Sequence, residues 1–91
     1  MPILKASESK SALAKVPDWK RTGSVIARTF QFKGFVAAMN FVNAVAELAE
    51  QAQHHPDVDI RWNKVTLALT THSEGGLTKK DFQLARMFDH L

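Results

Sequence analysis

Residues 35–72 read FVAAMNFVNAVAELAEQAQHHPDVDIRWNKVTLALTTH, and within this stretch the hydrophobic period changes from helical to alternating. In the first half Phe35, Met39, Val42, Val45, Ala49 and Ala52 fall on one stripe, widened by Phe41 and Leu48. Asn40, Asn43, Glu47, Glu50 and Gln51 collect on the opposite side. Apolar residues recurring at steps of three and four mark an amphipathic helix. Its end is expected at Pro56, because the residue before a proline is pushed out of helical geometry. In the second half Val58, Ile60 and Trp62 alternate with Asp59 and Arg61, and Val65, Leu67 and Leu69 with Thr66, Ala68 and Thr70. That predicts two strands, joined by a tight turn at Asn63-Lys64.

Working outward, VIARTFQFK carries Ile26, Phe30 and Phe32 on one parity and follows WKRTGS, so a first hairpin turning at Gly23 is expected. Ser7 to Val16 reads as a short first helix, with Ser7 as cap, Glu8 in the first turn, Leu13 and Val16 on one side, and Pro17 as the stop. Beyond the loop SEGGL, Thr78 with Asp81 three residues later resembles a capping box and opens a last helix through KKDFQLARMFDHL. The order is α-β-β-α-β-β-α. Each hairpin has one apolar face, so the expected fold is α+β, a four-stranded antiparallel sheet with three helices packed on one face, as one domain over residues 1–91. The uncovered sheet face and edges invite self-association by strand pairing.

Composition removes several functions. The 91 residues contain no cysteine, which excludes disulfides, thiolate chemistry and cysteine-type zinc sites. The net charge of +3 is spread along the chain without a basic cluster, so nucleic acid is not an expected partner. MPILKASESKSALAKV lacks an apolar run of signal or membrane length, and a cytoplasmic protein without membrane attachment is expected.

Histidine and carboxylate are left to carry chemistry. Glu50 precedes His54 by four residues, roughly 40° around a helix, so the two are expected on one polar face with the carboxylate fixing the imidazole's tautomer. The carbonyls at the helix end favour a cationic imidazole there, which suits His54 to donate a proton. His72 closes the last strand beside a Gly-Gly loop, but strict alternation sends it to the face of Thr66, Ala68 and Thr70, away from His54. His90 reads as a surface residue at a helix end. Taken singly, Asp81 is a cap, Trp62 a core residue and Glu50 a surface glutamate. A metal held by His54, His55, His72 and Glu50 is the first rival; adjacent histidines seldom reach one ion and no His-x-x-x-His or His-x-His pair is present, so no metal is expected.

EQAQHHP, then Trp62 after five residues, His72 after nine more and Asp81 after eight more, together with Trp19, FQFKGF, HHPDV, NKVTLALTTH and GGLTKKD, resemble the pterin-4a-carbinolamine dehydratases over nearly the whole chain. The resemblance implies that 4a-hydroxytetrahydropterin is dehydrated to quinonoid dihydropterin without metal or organic cofactor. It implies catalytic roles for His54, His55 and His72 supported by Glu50 and Asp81. A pterin site lined by Gln53, His54, His55, Thr70, Thr71, His72 and Ser73 is implied as well, with the last strand's end beside the histidine doublet. The expected assignment makes His54 the main acid, His55 a binding and proton-exchange group and His72 a second acid–base group. An aromatic amino acid hydroxylase is the implied source of substrate and partner, and a homodimer or homotetramer the implied assembly. Val58 stands where many relatives have tryptophan, which bears on packing or substrate fit. A protein-interaction module of the dimerisation-cofactor kind, without essential catalysis, is the other reading; it alone would tolerate loss of His54 and His72.

Overall fold

The computed structural model describes residues 2–91. Its elements in chain order are α1 Ala6–Leu13, β1 Lys20–Thr22, β2 Val25–Gln31, α2 Phe35–Ala52, β3 Asp57–Arg61, β4 Lys64–Leu69, a short 3₁₀ turn at His72–Glu74, and α3 Lys79–Asp89. The strands form one antiparallel sheet in the order β1-β2-β4-β3, with the three helices on one face.

Alternation works as expected in β4, where Val65, Leu67 and Leu69 are fully buried and the intervening Thr66 and Ala68 are not. Their register partners Phe30 and Ile26 continue the buried face onto β2. From α2 the core takes Ala38, Phe41, Val45 and Ala49, and from α3 Phe82, Leu84, Ala85 and Phe88. Each large aliphatic or aromatic side chain in this layer contributes about 1.5–3 kcal/mol by leaving water. Phe41 stacks between Phe30 and Phe32 at centroid distances of 4.6 and 4.9 Å. The end of α3 is tied to the first hairpin by Asp89, whose Oδ1 accepts from Trp19 Nε1 at 2.8 Å and from Arg28 Nη1 at 2.6 Å.

Several boundaries differ from the sequence expectation. α1 ends at Leu13, and its cap is Lys5, whose backbone N–H donates to Glu8 Oε1 at 2.8 Å; Ser7 lies inside the helix. Phe35, at the first turn of α2, is half exposed, so the buried stripe is centred on Ala38, Phe41, Val45 and Ala49. β2 stops at Gln31, because the chain beyond it turns to Asn63, with Phe32 N–H donating to Asn63 O and Asn63 Nδ2 to Phe32 O.

The second hairpin pairs Arg61 with Lys64, which makes Trp62-Asn63 the two-residue turn. Trp62 therefore leaves the strand alternation, takes a φ of 50° and is 65% exposed, where a core position was expected. β3 is an edge strand. Val58 and Ile60 face the same side as Leu67 and Val65, yet they remain 42% and 38% exposed.

Candidate active site

α2 does not run to Pro56. Gln53 adopts the left-handed conformation, φ 52°, while His54 N–H donates to Ala49 O and Gln53 N–H to Glu50 O, the two bonds of a Schellman ending. The Gln53 side chain helps to hold this turn, its Nε2 donating to Glu50 O at 2.8 Å. This reversal throws His54 and His55 off the helical angle and toward different neighbours.

His54 turns inward. Its Nε2 lies 2.5 Å from Oδ1 of Asp81, a residue with no solvent exposure at all. Asp81 is the third residue of α3, and its other oxygen, Oδ2, accepts from Thr78 N–H at 3.0 Å and from Thr71 Oγ1 at 2.8 Å. Because the Thr71 hydroxyl proton is spent on the carboxylate, the 2.9 Å contact between Thr71 and Thr78 hydroxyls has Thr78 as its donor. A carboxylate withdrawn from water is costly unless its lone pairs are filled, and three donors fill them here. The carboxylate accepts and cannot donate, so it fixes the proton of His54 on Nε2 and leaves Nδ1 as the nitrogen open to another group.

His55 turns outward. Its Nε2 lies 2.5 Å from Glu50 Oε2, and both side chains are mostly exposed. The expected pairing of Glu50 with His54 is thus replaced by two pairs, Glu50 with His55 and Asp81 with His54. The left-handed Gln53 is the physical reason, since a constant helical advance does not survive it.

His72 is not a strand residue. β4 ends at Leu69, Thr70 Oγ1 donates to Ser24 O at 2.6 Å, and Thr71 makes an isolated bridge to Gly76 that closes the loop around Gly75, φ 76°. His72 begins the 3₁₀ turn inside that loop and is exposed, as is Ser73. The alternation that sent His72 to the far face has ended before it, and the Thr71–Asp81–His54 contacts bring the base of this turn up to the histidine doublet. Among the residues implied as pterin-lining, Gln53, Thr70 and Thr71 already direct side-chain donors at protein groups. Thr78 is more than the helix cap that its spacing predicts, since its buried hydroxyl is also the outer link of the Asp81 network. The Thr-x-x-Asp spacing announced the cap, but nothing local announced the carboxylate's second oxygen. Among the described residues no three His, Asp or Glu side chains are grouped as metal ligands.

The C-terminus of α2, the start of β3, the end of β4 and the start of α3 all meet at one end of the sheet, carrying two histidine–carboxylate pairs. The α+β sandwich thus assembles, from two distant stretches of chain, two imidazole–carboxylate pairs of the kind that suits proton transfer. The family model described as "Pterin 4 alpha carbinolamine dehydratase" matches residues 2–91. A Chloroflexus aurantiacus protein named "Putative pterin-4-alpha-carbinolamine dehydratase" is 54% identical over 91 residues, covering 100% of this chain and 98% of the relative. A Nocardia farcinica protein of the same name is 52% identical over 89 residues, covering 98% and 94%. Among solved structures, one described as a transcriptional coactivator/pterin dehydratase from Brucella melitensis superposes with a TM-score of 0.93 at 36% identity, covering 97% of this chain and 96% of that one. A pterin dehydratase-like RuBisCO assembly factor of the alpha-carboxysome shares the fold alone, with a TM-score of 0.65 at 19% identity over 79% and 83% of the two chains. The chain belongs to the pterin-4a-carbinolamine dehydratase family.

Proposed function

We propose that this protein is a hydro-lyase that eliminates water from 4a-hydroxytetrahydrobiopterin to give quinonoid dihydropterin. The observation that carries the reading is the buried Asp81 beneath His54. The elimination breaks one C–O bond. The departing hydroxyl takes a proton and leaves as water, while the neighbouring ring nitrogen gives up a proton and its electrons form the new double bond. Both transfers suit imidazole, the side chain that takes up and releases protons near neutrality.

In this reading His54, its Nε2–H held by Asp81, carries a second proton on Nδ1 and delivers that one to the departing hydroxyl. His55, leaning on Glu50, binds the pterin and exchanges protons with solvent, and His72 is the acid–base group across the ring. Gln53, Thr70, Thr71 and Ser73 shape the rim of the site. Thr71 does so through its backbone and through its hold on Asp81, since its hydroxyl faces inward. Neither metal nor organic cofactor enters the scheme. The proposed setting is the cytoplasm, where the reaction returns the pterin released by an aromatic amino acid hydroxylase to tetrahydrobiopterin recycling.

Self-association is part of the proposal. The exposed β3 edge offers unpaired backbone groups beside Val58 and Ile60, which supports a homodimer or homotetramer built on that edge. A pure interaction module without catalysis is not favoured, because relatives about half identical over nearly their whole length carry the dehydratase name.

The test is the decay of chemically generated 4a-carbinolamine with and without the protein. Acceleration proportional to protein concentration supports the proposal, and a decay rate that ignores the protein refutes it.

A further inference from the structure

A groove of about 450 Å³ lies between α1 and α3, on residues that include none of the histidines, Glu50 or Asp81. The α3 wall is a single helical stripe, and α1 contributes Ser7, Glu8, Ser11 and Ala12 from one face. On α3, Lys79, Phe82, Gln83 and Arg86 follow the i, i+3, i+4, i+7 spacing of one face. Leu4, Ala12 and Phe82 make an apolar floor, Phe82 being buried and the other two partly so.

The rim has a sign. Lys15, Lys79 and Arg86 border the groove against one carboxylate, Glu8, whose Oε1 already accepts from Lys5 N–H. Among the described residues none of these three cations takes part in an ion pair. Three cations against one carboxylate leave a net positive rim around an apolar floor, which raises the local concentration of anions, and Arg86 adds a planar fork that grips an oxyanion through two parallel hydrogen bonds. The volume falls in the range of small-molecule sites, about 300–1,000 Å³, which lie preferentially between elements such as these helices. Its floor has only three apolar side chains, too few to anchor a partner helix, which needs several such contacts along its length.

We propose that the α1–α3 groove binds a small organic anion with an apolar body, its oxyanion head gripped by Arg86 in the positive field of Lys15 and Lys79 and its body lying on Phe82. The proposal does not rest on the dehydratase reading of the histidine site.

The test uses the full chain, labelled with ¹⁵N and titrated with phenylacetate and with octanoate. Phenylacetamide serves as the uncharged isostere and acetate as the headgroup alone. The expected result is saturable amide shifts over residues 4–15 and 79–86 with at least one carboxylate, and binding at least about tenfold weaker for both controls. Lys79→Gln combined with Arg86→Gln weakens the carboxylate by at least about tenfold while leaving the circular dichroism spectrum and carbinolamine decay at wild-type values. The proposal is overturned by unsaturable shifts with both carboxylates, by shifts centred on other residues, by equal binding of either control, or by unchanged affinity in the double variant. It is overturned equally if these amides shift with protein concentration and not with the probes, which would mean that a second copy of the chain fills the groove.

Discussion

Asp81 and Glu50 are both carboxylates within hydrogen-bond distance of an imidazole, yet their surroundings give them different weights. Asp81 has no exposure and three donors, so Asp81→Ala strands His54, Thr71 and Thr78 N–H together. A loss of about 3 kcal/mol in urea denaturation is expected. Glu50 and His55 are 71% and 59% exposed, and Glu50→Ala is expected to change stability by no more than about 0.5 kcal/mol in the same measurement. Thr71 acts through Asp81, so Thr71→Val is expected to lower the dehydration rate by roughly tenfold and stability by about 1–2 kcal/mol, with Thr71→Ser restoring both. A Val variant as active as wild type would remove Thr71 from the positioning of His54. The sequence announced the chemical cast at this scale but misassigned one partnership. Glu50 and His54 are four apart, and only the left-handed turn at Gln53, which no local signal foretold, sends Glu50 to His55.

The elements were legible wherever period and burial agree, as in β4 and α2, whose apolar faces meet across the core. Their ends were less so, because ends are decided by where hydrogen bonds can be completed. α2 closes with a Schellman ending in which glutamine occupies the position that glycine fills at little cost. Gln53→Gly is accordingly expected to raise the urea midpoint by an amount worth roughly 0.5 kcal/mol or more, since a side chain at this φ is strained by about 1–2 kcal/mol. An unchanged or lower midpoint would mean that the Gln53 side-chain bond to Glu50 O outweighs the strain. The turn of the second hairpin departs from its sequence expectation for a similar reason. Asn63-Lys64 looked like a turn and Trp62 like a core residue, whereas the ladder continues to Arg61–Lys64 and forces Trp62 into the loop. The end of β4 matters more, because stopping at Leu69 frees His72 from strand parity and admits it to the histidines' end of the sheet.

At the scale of the whole molecule, two stretches distant in sequence, residues 50–57 and 69–81, meet at one end of the sheet, and the two oxygens of one carboxylate tie the end of α2 and the end of β4 to the start of α3. Sequence alternation could not foresee which sheet positions the helices leave uncovered, and Val58 and Ile60 are apolar without being core. If that edge joins subunits, Ile60→Lys is expected to shift the species seen by sedimentation velocity toward the monomer, as charge on an edge strand opposes pairing. An assembly unaffected by it would place the interface elsewhere. The central claim is that His54, oriented by buried Asp81, moves the proton on which elimination depends. It is tested most directly by following carbinolamine decay with wild-type protein and with His54→Ala at equal concentration, after circular dichroism has shown the variant folded. The account predicts that the variant loses about 10²-fold of the wild-type acceleration; a folded His54→Ala that dehydrates the carbinolamine as fast as wild type would contradict it.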